Sequence, residues 1–143
     1  MNKHIIRIIF CIIFLVTVIG WYFLPINLNT IVSKQIQPST VEKANITVFS
    51  SAYLQKTYEV NDKAVVDKLT KIFNDIEVRR TVSPPDIFKP SLYNTYYIQL
   101  ISKDKIVRVD IMDKDYITVN DRTYKIVNEP KLQEIYDIVK AIK

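Results

Sequence analysis

The pattern of apolar positions divides the chain into three regimes. From Ile8 to Leu24 no charged residue occurs, and counting from Ile5, past an Arg7 whose stem lets its charge reach back to an interface, the apolar stretch is twenty positions long. A helix rising about 1.5 Å per residue needs about that length to cross the ~30 Å hydrocarbon layer of a bilayer. Trp21, Tyr22 and Phe23 cluster at its far end, where amphipathic rings favour the headgroup level, and Pro25 follows as a stop. The pattern predicts a cytoplasmic stub and transmembrane signal anchor over residues 1–24.

Residues 25–44 turn polar and lose any steady period, which predicts a linker with at most a frayed helix near 31–37. Beyond it, alternation of period two predicts strands at 45–51 and 56–60. Asn61 and Asp62 then supply capping side chains, and Val65, Val66, Leu69, Ile72, Phe73 and Ile76 recur at three and four, predicting a helix over 62–75. A short edge strand is expected at 77–82. Pro84, Pro85 and Pro90 then forbid both helix and central strand.

Four further strands are predicted at 94–102, 106–112, 116–119 and 122–127, with Asn120–Asp121 as a two-residue turn that tolerates positive φ. Their inward set is Ile98, Leu100, Val107, Val109, Ile111, Ile117, Val119, Tyr124 and Ile126; Gln99, Arg108, Asp110, Thr118, Thr123 and Lys125 are expected outward. Asn128 is read as the cap of a closing helix whose apolar stripe is Leu132, Ile135, Tyr136, Val139 and Ile142. The expected fold class is therefore α+β: an N-terminal transmembrane helix, then over 45–143 a two-layer domain with an antiparallel sheet covered on one face by two helices.

Composition changes the picture mainly by exclusion. The only Gly is Gly20, so glycine-dependent phosphate loops are excluded. The only His and Cys are His4 and Cys11, both N-terminal, which leaves the domain without the means for a Cys/His zinc site, a His-dependent triad or a disulfide. No metal site and no cofactor is expected. The net charge is +5, but Lys3, Arg7 and Lys34 precede residue 35 without an acid, and the rest carries 17 basic against 15 acidic residues. Signs alternate there without a basic stripe, so nucleic acid is not an expected partner.

Lys3 and Arg7 before the apolar segment against Lys34 after it place the N-terminus in the cytoplasm and the domain outside the cell membrane. The competing expectation is a secretory signal cleaved near Gly20, after Val18-Ile19-Gly20, which would release the domain.

From Ile46-Thr47-Val48 through the capped helix and proline loop to Tyr96-Tyr97-Ile98-Gln99-Leu100 and 116–126 (Tyr-Ile-Thr-Val-Asn-Asp-Arg-Thr-Tyr-Lys-Ile), the order of elements resembles small membrane-tethered extracytoplasmic domains of unknown function from Gram-positive bacteria. The resemblance implies a location at the cell envelope and no activity.

Asp110, Asp113 and Asp115 are the densest acidic group, yet a calcium loop also wants a turn glycine and a downstream bidentate Glu, and neither is present. They read as turn and cross-strand residues beside Arg108 and Lys114. Arg79 and Arg80 just before the proline segment, with Phe88, Tyr93, Tyr96 and Tyr97 in and after it, form the candidate binding set, because rigid amphipathic rings flanked by cations suit peptides, proteins and wall polymers. The competing reading folds the apolar members of the proline segment onto the core. The expected function is a non-enzymatic binding or interaction module, anchored in the lipid bilayer, with a protein, peptide or cell-wall partner. An envelope hydrolase or transferase using only carboxylates, and a bacteriocin-immunity protein, are the alternatives.

Overall fold

A computed structural model describes residues 3–49, 55–81, 95–112, 115–128 and 132–142. The apolar N-terminal run forms α1 (Lys3–Tyr22), twenty residues without a single buried one. The Thr17 hydroxyl donates to the Ile13 carbonyl at 2.8 Å, so this polar group in the middle of the helix is satisfied within it. Backbone bonds from Phe23 to Gly20 and from Leu24 to Trp21 tighten the last turn before Pro25.

Next comes a short strand, β1 (Ile26–Asn27), and then α2 (Leu28–Ser33), whose Leu28 and Val32 are buried. The expected polar linker over 25–44 is therefore corrected. Leu28, Val32, Ile36 and Val41 all lie in the main hydrophobic cluster at 0–2% exposure. Their spacings of four, four and five suit one buried flank of a helix followed by a turn, and polar residues between them hid the period. Asn27 starts α2: its Oδ1 accepts from the Asn29 amide at 2.9 Å and its Nδ2 donates to the Asn74 carbonyl.

The strands β2 (Lys43–Phe49) and β3 (Gln55–Val60) form an antiparallel pair. Asp62 then caps α3 (Lys63–Ile72) by accepting from the Ala64 amide at 2.8 Å, and the helix runs on into a 3-10 turn at Phe73–Asp75. After β4 (Glu77–Arg80), a meander follows: β5 (Thr95–Ile101), β6 (Ile106–Ile111), β7 (Tyr116–Val119) and β8 (Arg122–Ile126), with α4 (Leu132–Ala141) last.

All eight strands join one sheet in the order β1-β4-β8-β7-β6-β5-β2-β3, each pair antiparallel. The sequence predicted seven; β1 is too short to alternate visibly. Register stacks like on like, with Ile46 opposite Ile98, Ile98 opposite Val109 and Val109 opposite Val119. All nine predicted inward strand residues of the meander are buried, and the same cluster takes in Val66, Leu69 and Phe73 after β3 and Ile135, Ile138 and Val139 from α4. The chain is α+β, with an eight-stranded antiparallel sheet and helices.

The expected capping of the closing helix by Asn128 falls on residues 129–131, outside the described residues. Asn128 Oδ1 accepts from the Glu77 amide at 2.8 Å and its Nδ2 donates to the Asp75 carbonyl, tying the end of β8 to the start of β4. One further expectation is corrected. Tyr136 faces solvent, because the buried positions of α4 step through Ile135, Ile138 and Val139 and a neighbour lies about 100° away on the helix. Lys140 sits 5.9 Å over its ring.

Candidate functional site on the outer face of the sheet

The residues that alternate with the core set occupy the other face of the sheet. Across its centre, register lines up Thr57, Thr47, Tyr97, Asp110, Thr118 and Thr123 from β3 to β8 in one row. Hydroxyls at both ends of the row pair off, Thr47 with Thr57 at 3.0 Å and Thr118 with Thr123 at 3.1 Å. Between them Tyr97 meets Phe49 edge to face, ring centres 5.0 Å apart at 73°, an arrangement that matches the positive edge of one ring to the negative face of the other.

Asp110 is the anomaly of this face. It was expected to be solvated, and it is 3% exposed. A strand places residues i and i+2 on one side, so Arg108 reaches back over it: Nε donates to Oδ2 at 2.7 Å and to Oδ1 at 3.0 Å, and Nη2 lies 2.7 Å from Oδ2. Arg108 keeps its other end wet, with a side chain 53% exposed. The two titrations follow from that asymmetry. Burial pushes the Asp110 carboxyl above the usual carboxylate range, and the hydrogen bond and charge of Arg108 only partly offset it. The Arg108 guanidinium is held above its ordinary value, first by its hydrogen bond to Asp110 and then by that residue's charge.

The pair is locked from the backbone side as well. Asn120 takes φ 51° in the β7–β8 turn, the left-handed conformation that Asn tolerates. Its Oδ1 accepts from the Arg108 amide at 2.9 Å, its amide donates to the Arg108 carbonyl at 2.8 Å, and its Nδ2 reaches Gln35 Oε1 beyond α2. The arrangement fixes a guanidinium edge near the Tyr97 ring, a surface that can take a carbonyl, carboxylate or sugar hydroxyl by hydrogen bond and stacking.

The six candidate residues from the sequence fall in different places. Tyr97 is half-buried on the outer face beside Arg108 and Asp110. Tyr96 is 4% exposed and belongs to the core, opposite Ile111, since neighbours on a strand point to opposite sides. Arg79 is exposed on β4 and directly opposite Lys125 of β8. Arg80 points to the other side, its guanidinium 4.9 Å from the centre of the Tyr22 ring. Phe88 and Tyr93 lie outside the described residues.

Phe49 is not among the candidate residues from the sequence, and Asp110 beside Arg108 reads there only as a solvated turn and cross-strand residue. The available signal was an Arg two positions before an Asp within a strand otherwise apolar at every second place, Val107, Val109 and Ile111. A second depression, open and about 420 Å³, lies between α2 and α3 and is lined by Asn29, Ser39, Lys63, Asp67, Lys71 and Asn74. Lys63 is already committed there to the carbonyls of Pro38 and Val41 and to Asp67 at 2.9 Å, so it acts as a strut. Among the described residues, no three of His, Cys, Asp and Glu come together as metal ligands would.

No protein-family model matches the chain, no curated protein matches its sequence, and no solved structure matches its fold.

Proposed function

We propose that the chain is a single-pass membrane protein, N-terminus in the cytoplasm, whose two-layer α+β domain is a binding module at the outer face of the cell membrane. The observation that carries this reading is the contrast between α1 and everything after it. The domain closes a core of its own in which side chains such as Leu28, Ile46, Phe73, Ile98 and Ile135 are wholly buried. Helix α1, by contrast, has a mean hydropathy of 2.4 over its most apolar eighteen residues and buries none of it. Surface of that kind is strongly unfavourable in water, at roughly 25 cal/mol per Å², and is satisfied by hydrocarbon. Lys3 and Arg7 on one side support the orientation.

The binding role is supported by the outer sheet face, where Phe49, Tyr97 and the exposed end of Arg108 make a rigid aromatic and cationic surface on strands rather than loops. The close partner of Asp110 is a cation, which favours a fixed charge pair over two carboxylates dividing acid and base roles. A protein, peptide or wall polymer suits such a surface.

The test joins a reporter active only outside the cytoplasm to the C-terminus, with carbonate extraction of the membranes. Reporter activity in the carbonate-resistant fraction supports the reading. A cytoplasmic signal overturns the orientation, and full-length chain in the soluble fraction overturns the anchor. A shortened chain released from the membrane indicates cleavage near Gly20 instead.

A further inference from the structure

We propose that the end of the sheet nearest α1 docks on the phosphate layer of an anionic phospholipid leaflet through Arg79, Arg80 and Lys125, so that the domain lies against the membrane. The proposal rests on the reading of α1 as a membrane span. Its first support is depth. Tyr22 ends α1, and Tyr and Trp rings at the end of a span settle at the headgroup level. The Arg80 guanidinium lies 4.9 Å from the Tyr22 ring centre, so it occupies the same level. Only Phe23, Leu24 and Pro25 separate α1 from β1, and β1 is paired to β4 with Ile26 opposite Val78, which leaves no slack for the domain to lift away.

Charge is the second support. Running forward along β4 from Val78, toward Tyr22, brings Arg79 and then Arg80, with Lys125 and Tyr124 opposite them on β8. Arg79 and Lys125 therefore face each other directly, an arrangement of like charges that destabilises a sheet in the absence of a counter-charge. Among the described residues, the ion pairs lie elsewhere, Lys43 with Glu59, Lys63 with Asp67 and Arg108 with Asp110. A plane of lipid phosphates at the depth of Arg80 supplies the missing anions. Arg80 itself sits over a ring, the geometry in which a guanidinium keeps its donors free for a second partner.

The experiment measures acetylation of individual lysines by an amine-reactive reagent, read by mass spectrometry, on the full chain reconstituted in phosphatidylcholine vesicles with and without one-third phosphatidylglycerol. Lys56, on the far strand β3, is the internal reference. The expected result is that Lys125 reacts at least five-fold more slowly relative to Lys56 in the anionic vesicles, a factor on the order of one cation's attraction to a charged leaflet. That protection is expected to disappear in about 0.5 M salt, where screening is short-ranged, and in an Arg79→Gln/Arg80→Gln variant. An unchanged Lys125/Lys56 ratio between the two lipids overturns the proposal, as does protection that survives in the variant. Circular dichroism of the variant checks that it is folded, and Arg79→Gln alone replaces it if it is not. A chain that leaves the vesicles on carbonate washing overturns the anchor and the docking together, whereas a chain that stays with an unprotected Lys125 overturns the docking alone.

Discussion

Removing Arg108 should expose how the outer face of the sheet tolerates a buried carboxylate. In Arg108→Ala the Asp110 carboxylate, 4% exposed in its side chain, loses the three close contacts that offset its burial. A charge-assisted hydrogen bond contributes about 1.5–3 kcal/mol, and the half-exposed state of Arg108 argues for the lower part of that range. The expected loss is therefore about 2 kcal/mol, a fall in Tm of roughly 8 °C for a domain of this size.

The sign with pH follows from the direction of the Asp110 shift. Burial raises its carboxyl above the unfolded value, so between those two values the folded state holds the proton more tightly. Stability falls as pH climbs through that window and returns as pH drops below it. Without Arg108 the raised value rises further. The penalty of Arg108→Ala should therefore be full above the raised value and shrink as pH falls through it, as Asp110 takes up its proton. Asp110→Val, added to Arg108→Ala, removes the unpaired charge and fills its place with a strand-favouring side chain, and should restore most of the lost stability. Thermal melts of the three variants at several pH values decide the matter. A penalty independent of pH, or a double variant no more stable than Arg108→Ala alone, refutes the reasoning.

Two further outcomes are expected. Leu28→Ala, in the segment the sequence presented as a linker, should cost about 2–5 kcal/mol in a denaturant titration because Leu28 is wholly buried, whereas Lys34→Ala on the exposed side should cost almost nothing. Asn128→Ala should lower the unfolding free energy by about 1–2 kcal/mol in the same titration, since it removes the side-chain partner of the Glu77 amide and of the Asp75 carbonyl, and an unchanged unfolding free energy would contradict this.

Much of the fold was legible in the sequence because its signals are local. Alternation in the meander placed all nine inward residues correctly, and Asp62 and the Asn120 turn did what their side chains favour. The site was less legible. Tyr96 and Tyr97 look alike as a pair of tyrosines, and the pleat sends one into the core and the other to the outer face. Arg79 and Arg80 are separated the same way, one to Lys125 and one to Tyr22. Asn128 showed only a local capping preference, and its bond to the Glu77 amide, 51 residues away, had no local signal.

The sequence by itself determined an apolar helix long enough for a bilayer, an antiparallel sheet with one oily face, and a domain poor in reactive side chains, since each depends on residue type and short-range period. Only the tertiary structure decided that Leu28, Val32, Ile36 and Val41 belong to the core, that β1 closes the sheet beside β4, and that Asp110 is buried under Arg108. Those outcomes depend on which surfaces meet across long stretches of chain, and the contact that satisfies a polar group or covers an apolar one is not written beside it.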